Sequence, residues 1–438
     1  MADLEQGYNP HVQVKESGPN VHTLELLSTD TGLKVSSFQK GIAMFSRVSG
    51  VEARGIERVA DDERQSPLPD TYTRIFLLWL SSALTGNNII VGLYGPSLYG
   101  LDWTQATICA TLGVVLGVST LTWFIATLGV HLFQFYTRYA WIIQILTLSV
   151  MIGSAGPSFD TSPSIPHEIP EATASNRLAF FSLCFASAIT WAPASADYFV
   201  YFPSSTKPGR MFLASSTGMG LAMTLTTLLG IGLATGIDSN PAWVDASLAS
   251  PGSLLAASFS NLHGFGRFCA VILLLGTVSN NIPCTYSAGL NLQMLGRYGP
   301  RIPRPLLTTL EVVIYTVCAI AAHRYLREIM ENFLPLMSYW IVAWLAVCVE
   351  EEWIFRGGRD YDWTVWNDAR CLPMGLATGA SFAFGILGAV LGMSQSYFVG
   401  PIAKGLPQNC DLGMWLAFGF TAVVYPPFRS VELRIMGR

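Results

Sequence analysis

The chain has 438 residues, of which 51% are hydrophobic and only 12% charged, and its mean hydropathy is +0.42. Soluble domains carry about 25% charged residues, so this composition leaves too little polar surface for a water-soluble fold and points to lipid as the solvent for much of the chain. A net charge of −4 argues against a nucleic-acid partner, which needs a basic face.

The first seventy residues are mostly polar, with no apolar core behind a basic start. A cleaved signal peptide is therefore not expected, and the first span directs insertion. Residues 1–36 read as disordered. Over Phe38–Val51, the residues Phe38, Ile42 and Phe45 fall near one helical face with Lys40 and Arg47 beside it. A short helix on the inner membrane surface and a tethered polar tail both fit that pattern.

A bilayer core takes about 20 apolar residues per helix. Such stretches lie at 75–99, 104–129, 135–154, 178–201, 211–236, 266–292, 305–323, 329–349, 372–395 and 411–428. They are continuous rather than alternating, which excludes a β-barrel. The expected fold class is all-α: a polytopic membrane helical bundle of about ten spans. It divides into a cytoplasmic tail over 1–70, a transmembrane domain over 71–430 and a cytoplasmic tail over 431–438.

Basic residues set the orientation. With the N-terminus inside, the inner loops and tail hold Arg138, Lys207, Arg210, Arg297, Arg301, Arg304, Arg356, Arg359, Arg370, Arg429, Arg434 and Arg438. The outer loops hold Arg177, Arg324, Arg327 and Lys404, with Arg267 at a boundary. Both termini are thus expected in the cytoplasm. The stretch Gly153–Asn176 is rich in Pro and Ser and lacks Lys and Arg, which suits an outer loop.

Three spans are not plain apolar runs. The first carries Ser81, Ser82, Thr85, Gly86, Asn87 and Asn88, then Gly92, Gly95 and Pro96. The fourth carries Thr190, Trp191, Pro193, Ser195 and Asp197, and the sixth carries Ser279, Asn280, Asn281, Pro283 and Cys284. Gly and Pro free backbone groups that lipid cannot satisfy, so such breaks sit inside protein or line a cavity. Interrupted helices are the best sequence pointer to a transporter's central site. A planar polar heterocycle needs an aromatic face, which Trp191 can supply, and paired donors and acceptors, which Asn280 and Asn281 can supply. Each also has a structural reading: Trp191 as packing or an interfacial anchor, and the Asn pair as a bond to a neighbouring helix.

Asp197 is an ionisable residue within a span, a functional candidate or a capped, solvated residue near the cytoplasmic end. Glu311 in the seventh span is a second candidate, or faces a water-filled crevice without a role. Glu350-Glu351-Glu352 reads as a solvated helix end. Cys109, Cys184, Cys269, Cys284, Cys318 and Cys348 lie in apolar stretches as small hydrophobes, while Cys410 lies in a polar loop. No metal-ligand spacing, phosphate-binding loop, zinc-protease pattern or nucleophile elbow occurs. No cofactor, metal or catalytic residue is expected, and neither an enzyme nor an ATP-driven pump is indicated.

Several segments resemble nucleobase–cation symporter family one, in particular the fungal purine–cytosine permeases. They are Gly50–Val59, Val91–Pro96, Tyr136–Trp141, Ala196–Pro203, Asn280–Pro283 and Glu331–Leu334. The resemblance runs from about residue 50 to the C-terminus. It implies a five-plus-five inverted repeat of the amino-acid-transporter type with two extra helices, from which the third and fourth spans are missing here. The gap falls between Val130 and His131, and loss of an even number preserves the downstream orientation.

The implied activity is uptake of cytosine and purine bases by alternating access at the plasma membrane, coupled to a proton rather than sodium. In that scheme Trp191 stacks the base, Asn280 and Asn281 read its polar edge, and Ser81 adds a hydrogen bond. Asp197 and Glu311 are the proton-coupling candidates. Cys284 stands where the family has an Asn, and a thiol cannot offer an amide's paired donor and acceptor. That substitution and the missing spans also fit a non-transporting or decayed paralogue. A membrane enzyme is a third reading, disfavoured by the absent motifs.

Overall fold

The computed structural model describes residues 69–109, 134–161, 170–200, 202–203, 205–249, 251–295, 299, 302, 304–322, 326–357 and 371–437. The longer elements are α1 (Thr71–Ala83), α2 (Gly86–Tyr99), α3 (Gln134–Ala155), α4 (Pro170–Ile189), α5 (Ala192–Phe199), α6 (Pro208–Thr235), α7 (Pro241–Ala249) and α8 (Pro251–Ala257). They continue with α9 (His263–Gln293), α10 (Arg304–Ala322), α11 (Leu326–Glu350), α12 (Leu376–Gly392) and α13 (Gly413–Met436). A two-stranded antiparallel hairpin, β1 (Ser394–Gln395) with β2 (Phe398–Val399), follows α12. The expected second span lies mostly outside the described residues. So do the segment Phe38–Val51, nearly all of the N-terminal tail and the Val130–His131 junction.

The other apolar stretches are helical. Among the described residues, Trp141–Ser158, Ala174–Ser195, Pro208–Thr235 and Asn332–Arg356 are long and apolar enough to cross a membrane, and α1 with α2 forms a fifth when the bent pair is counted as one span. The last two stretches differ in extent from the sequence reading. The stretch 372–395 is helical only over α12, its end passing into the hairpin. The stretch 411–428 begins as a helix at Gly413 and continues to Met436, because its polar last turns are held by ion pairs. Large apolar side chains such as Leu213, Leu221, Val423 and Ile435 are exposed, as a lipid-facing surface requires.

Two compact units are distinguished. Among the described residues, the larger runs up to Pro283 and resumes at Ala322, and the smaller runs from Cys284 to Ala321. In the larger unit α6 packs along both halves of the first span, α1 and α2. Glycines permit this approach. A Cβ at Gly218 would lie 2.3 Å from the Phe76 carbonyl of α1, one at Gly230 would lie 1.8 Å from the Ile89 carbonyl of α2, and one at Gly92 would lie 1.9 Å from the Thr227 carbonyl of α6. Close backbone approach through small residues is how helices associate in lipid, where no hydrophobic force drives them together.

The C-terminal part of the larger unit packs α11, α12 and α13 together around Ile341, Val342, Leu345, Ala389, Met414 and Ala417. Where α11 and α13 end and α12 begins, Arg429 donates Nε and Nη2 to the two carboxylate oxygens of Glu351, each at 3.0 Å. Its Nη1 reaches Glu432 Oε2 at 3.0 Å. The Leu376 N–H donates to the other Glu432 oxygen at 3.1 Å, and the Tyr425 hydroxyl to Glu351 at 2.8 Å. Glu351 is thus an ion-pair partner, not part of a solvated helix end. Nothing local marked it, since Arg429 is 78 positions away.

Beyond the far end of α12, Asp411 organises the loop that enters α13. It accepts from the Tyr339 hydroxyl, the Ser394 N–H, Gln395 Nε2 and the Gly413 N–H. Cys410 beside it is buried, its thiol directed at the Ser175 carbonyl, so the polar loop does not expose it. In the smaller unit, Gln293 Nε2 donates to the Ile302 carbonyl at 2.9 Å across the connection from α9 to α10.

Candidate functional site

The first span breaks where the Ser, Thr, Gly and Asn residues accumulate. Its two halves meet at 57° across Leu84 and Thr85, with Thr85 extended at φ −135° and ψ 157°. The last carbonyls of a helix have no partner within it. Here side-chain amides take two of them: Asn88 Nδ2 donates to Ala83 O at 2.7 Å, and Asn280 Nδ2 of α9 donates to Ser82 O at 2.7 Å. On the other side of the break Thr85 makes no side-chain cap for α2. The hydroxyls of Ser81 and Thr85 are buried with no hydrogen-bond partner among the described residues.

The fourth span is interrupted at Thr190 and Trp191, between α4 and α5. Pro193 has no N–H for the Ile189 carbonyl, and the Trp191 N–H bonds back to Ala188 O at 3.3 Å. The result is a tightened turn rather than a wide bend. Trp191 is 8% exposed and meets Trp79 edge-on, ring centroids 6.0 Å apart at 86°. Trp79 also stacks on Phe199 at 5.9 Å and 24°, and its indole Nε1 is buried with no partner.

The sixth span does not break as expected. α9 runs unbroken from His263 through Pro283 to Gln293. A mid-helix Pro removes one backbone bond, and the surrounding contacts keep the helix going. The Tyr198 hydroxyl donates to the Pro283 carbonyl. Gln144 of α3 adds a second amide contact, Nε2 to Ile272 O at 3.1 Å, with Gly276 leaving room for its head group.

The structure therefore gathers three sequence candidates about the first-span break. Ser81 lies in the last turn of α1 just before it, Asn280 bonds the carbonyl of the next residue, and Trp191 touches Trp79 two residues earlier. Asp197 is half-buried on α5, next to Tyr198. The side chain of Asn281 lies outside the described residues. Cys284 and Glu311 belong to the smaller unit, where Cys284 is exposed and Glu311 Oε2 is buried without a hydrogen-bond partner among the described residues. Trp79, Asn88 and Tyr198 were not singled out from sequence, although Trp79 and Asn88 sit in the same irregular run that marked the break. Among the described residues no cluster of His, Cys, Asp or Glu could hold a metal ion. The break offers an aromatic wall and buried hydroxyls, which suit a flat, polar small molecule.

The family described as permease for cytosine/purines, uracil, thiamine, allantoin matches residues 125–416. The purine-cytosine permease FcyB of Emericella nidulans is 26% identical, covering 97% of this chain and 98% of that protein. The purine-cytosine permease FCY2 of Saccharomyces cerevisiae is 29% identical, over 74% of this chain and 61% of that protein. The vitamin B6 transporter TPN1 of the same yeast is 32% identical over 60% of this chain, which spans about half (54%) of that relative's length. No solved structure matches.

Proposed function

Because the chain belongs to the family of permeases for cytosine/purines, uracil, thiamine and allantoin, we propose that it carries a cytosine or purine base across the membrane. The observation that carries this reading is the convergence of Trp191, Ser81 and Asn280 on the break in the first span. Trp191 stacks the base. Ser81 donates a hydrogen bond to it, Asn281 reads its polar edge, and Asn280 contributes the amide oxygen left free by its bond to Ser82. Cys284 is the weakened polar position of the pattern, since a thiol lacks an amide's paired donor and acceptor.

Transport proceeds by alternating access around this midplane site, coupled to a proton rather than sodium. Asp197 and Glu311 are the coupling candidates, both ionisable groups within spans. The fold is an inverted repeat lacking two spans, seated in the plasma membrane with both termini cytoplasmic. The distribution of Lys and Arg supports that orientation. The alignment with FcyB supports the missing spans: it extends over 511 positions for a chain of 438, so gaps must open opposite this chain.

Uptake of radiolabelled cytosine and adenine in a permease-null yeast tests the proposal, with pyridoxine as competitor because one relative is named a vitamin B6 transporter. Saturable base uptake that collapses when the proton gradient is dissipated is the expected result. A protein that reaches the cell surface and takes up no base would refute it. Uptake of pyridoxine alone would reassign the substrate.

A further inference from the structure

We propose that Asn280 is a positioning residue, which holds the first-span break closed from α9 through its amide donor. A helix that stops inside a membrane leaves carbonyls that must find donors within the protein. The break frees Ser82 O and Ala83 O. The second is met locally, by the Thr85 N–H at 2.9 Å and by Asn88, five residues on. Among the described residues the first is met only across the fold, by Asn280, 198 residues away. Asn280 is therefore the tie between the break and α9. Gln144 fastens the same helix to α3 about two turns before Asn280, at the Ile272 carbonyl. α9 is thus pinned on both sides by amide-to-backbone bonds.

The arrangement fits positioning better than substrate reading alone. The Nδ2 group already has an acceptor at 2.7 Å, and a base edge would compete with a backbone carbonyl that has no other donor among the described residues. Losing this bond exposes the Ser82 carbonyl to the low-dielectric interior, which is the expensive half of the exchange. The break then opens, and Thr85, fully buried in the structure, becomes accessible.

The test is alkylation of a Thr85→Cys variant by a membrane-permeant maleimide, read as the increment over the parent chain with its native cysteines. It is measured in membranes without substrate and repeated with Asn280→Ala, Asn280→Gln and Trp191→Ala. Asn280→Ala should raise labelling about fivefold, the population change that one net hydrogen bond supports. Asn280→Gln, which keeps the amide, should restore part of the protection, and Trp191→Ala should leave labelling unchanged. In uptake assays Asn280→Ala should lower the maximal rate more than it raises KM. The uptake arm rests on the transport reading and the labelling arm does not, so a chain that transports nothing still decides the role of Asn280. Should Asn280→Ala fail to accumulate, Asn280→Ser takes its place, since its hydroxyl is too short to span to Ser82. Unchanged labelling in the Asn280 variants, equal labelling in Trp191→Ala, or a raised KM at constant maximal rate would each overturn the proposal.

Discussion

Replacing Arg429 with Met should destabilise the α11–α13 bundle more than removing either of its partners. The Arg429 side chain is 7% exposed, Glu432 4% and Glu351 22%. One guanidinium thus balances two largely buried carboxylates through three contacts of 3.0 Å. Arg429→Met removes the cation and leaves two like charges close together and away from water. Breaking a buried pair in this way costs about 3–5 kcal/mol, chiefly as the penalty of the uncompensated charge. Glu351→Gln leaves a balanced Arg429–Glu432 pair and should cost only about 1–2 kcal/mol, on the scale of a lost charge-assisted bond. Combining Arg429→Met with Glu351→Gln should recover part of the loss, since one stranded charge is gone. Thermal unfolding of fluorescent-protein fusions in detergent, followed by size exclusion, gives the order of midpoints. Only the order is interpreted, because membrane proteins of this size unfold irreversibly. An Arg429→Met midpoint equal to that of the parent would show the cluster to be worth no more than an exposed ion pair, and the reasoning would fail.

Gly230→Ala should disrupt the packing of α6 on α2, because its Cβ would meet the Ile89 carbonyl at 1.8 Å. Backbone cannot yield as a side chain can, so the expected loss is about 3 kcal/mol or more. Gly419→Ala on α13 meets nothing within 4 Å, and should be neutral or stabilising by up to about 1 kcal/mol through helix propensity; equal midpoints for the two variants would contradict this packing. Trp191→Ala should weaken base binding by one to two orders of magnitude, from about 1–3 kcal/mol of stacking, with Trp191→Phe retaining part. Binding measured on purified protein that ignores Trp191→Ala would remove that residue from the site. Cys284→Asn should tighten binding by restoring an amide donor and acceptor, read in the same assay. Tags at both ends should be protected from an impermeant probe in intact cells, and an accessible C-terminus would invert the topology.

The sequence made the spans visible because apolar runs of this length have few other uses, and it located the first break because the polar run Ser81 to Asn88, with Gly86 inside it, interrupts an otherwise apolar span. It misjudged the sixth span for a reason of scale. Pro283 removes a single bond, and whether a helix survives that depends on neighbours such as Tyr198, 85 residues away. The same limit hid the Arg429–Glu351 pair and the engagement of Asn280 with Ser82. A single chain records which groups need partners, but not which distant segment supplies them. Trp79 was hidden differently. In an apolar run a Trp reads as filler, and only its contact with Trp191 separates it from Leu78 and Leu80.

The glycine contacts of α6 bear on motion. Gly218 rests against α1 and Gly230 against α2, so one unbroken helix touches both arms of the bent first span at bare backbone. Any change in the 57° angle would pull one arm off its glycine seat or drive it into the facing carbonyl. The bend therefore behaves as a splinted elbow and not as a joint. Rocking of the first span has to carry α6 with it as a single piece, and the flexing must be sought where that piece meets its neighbours.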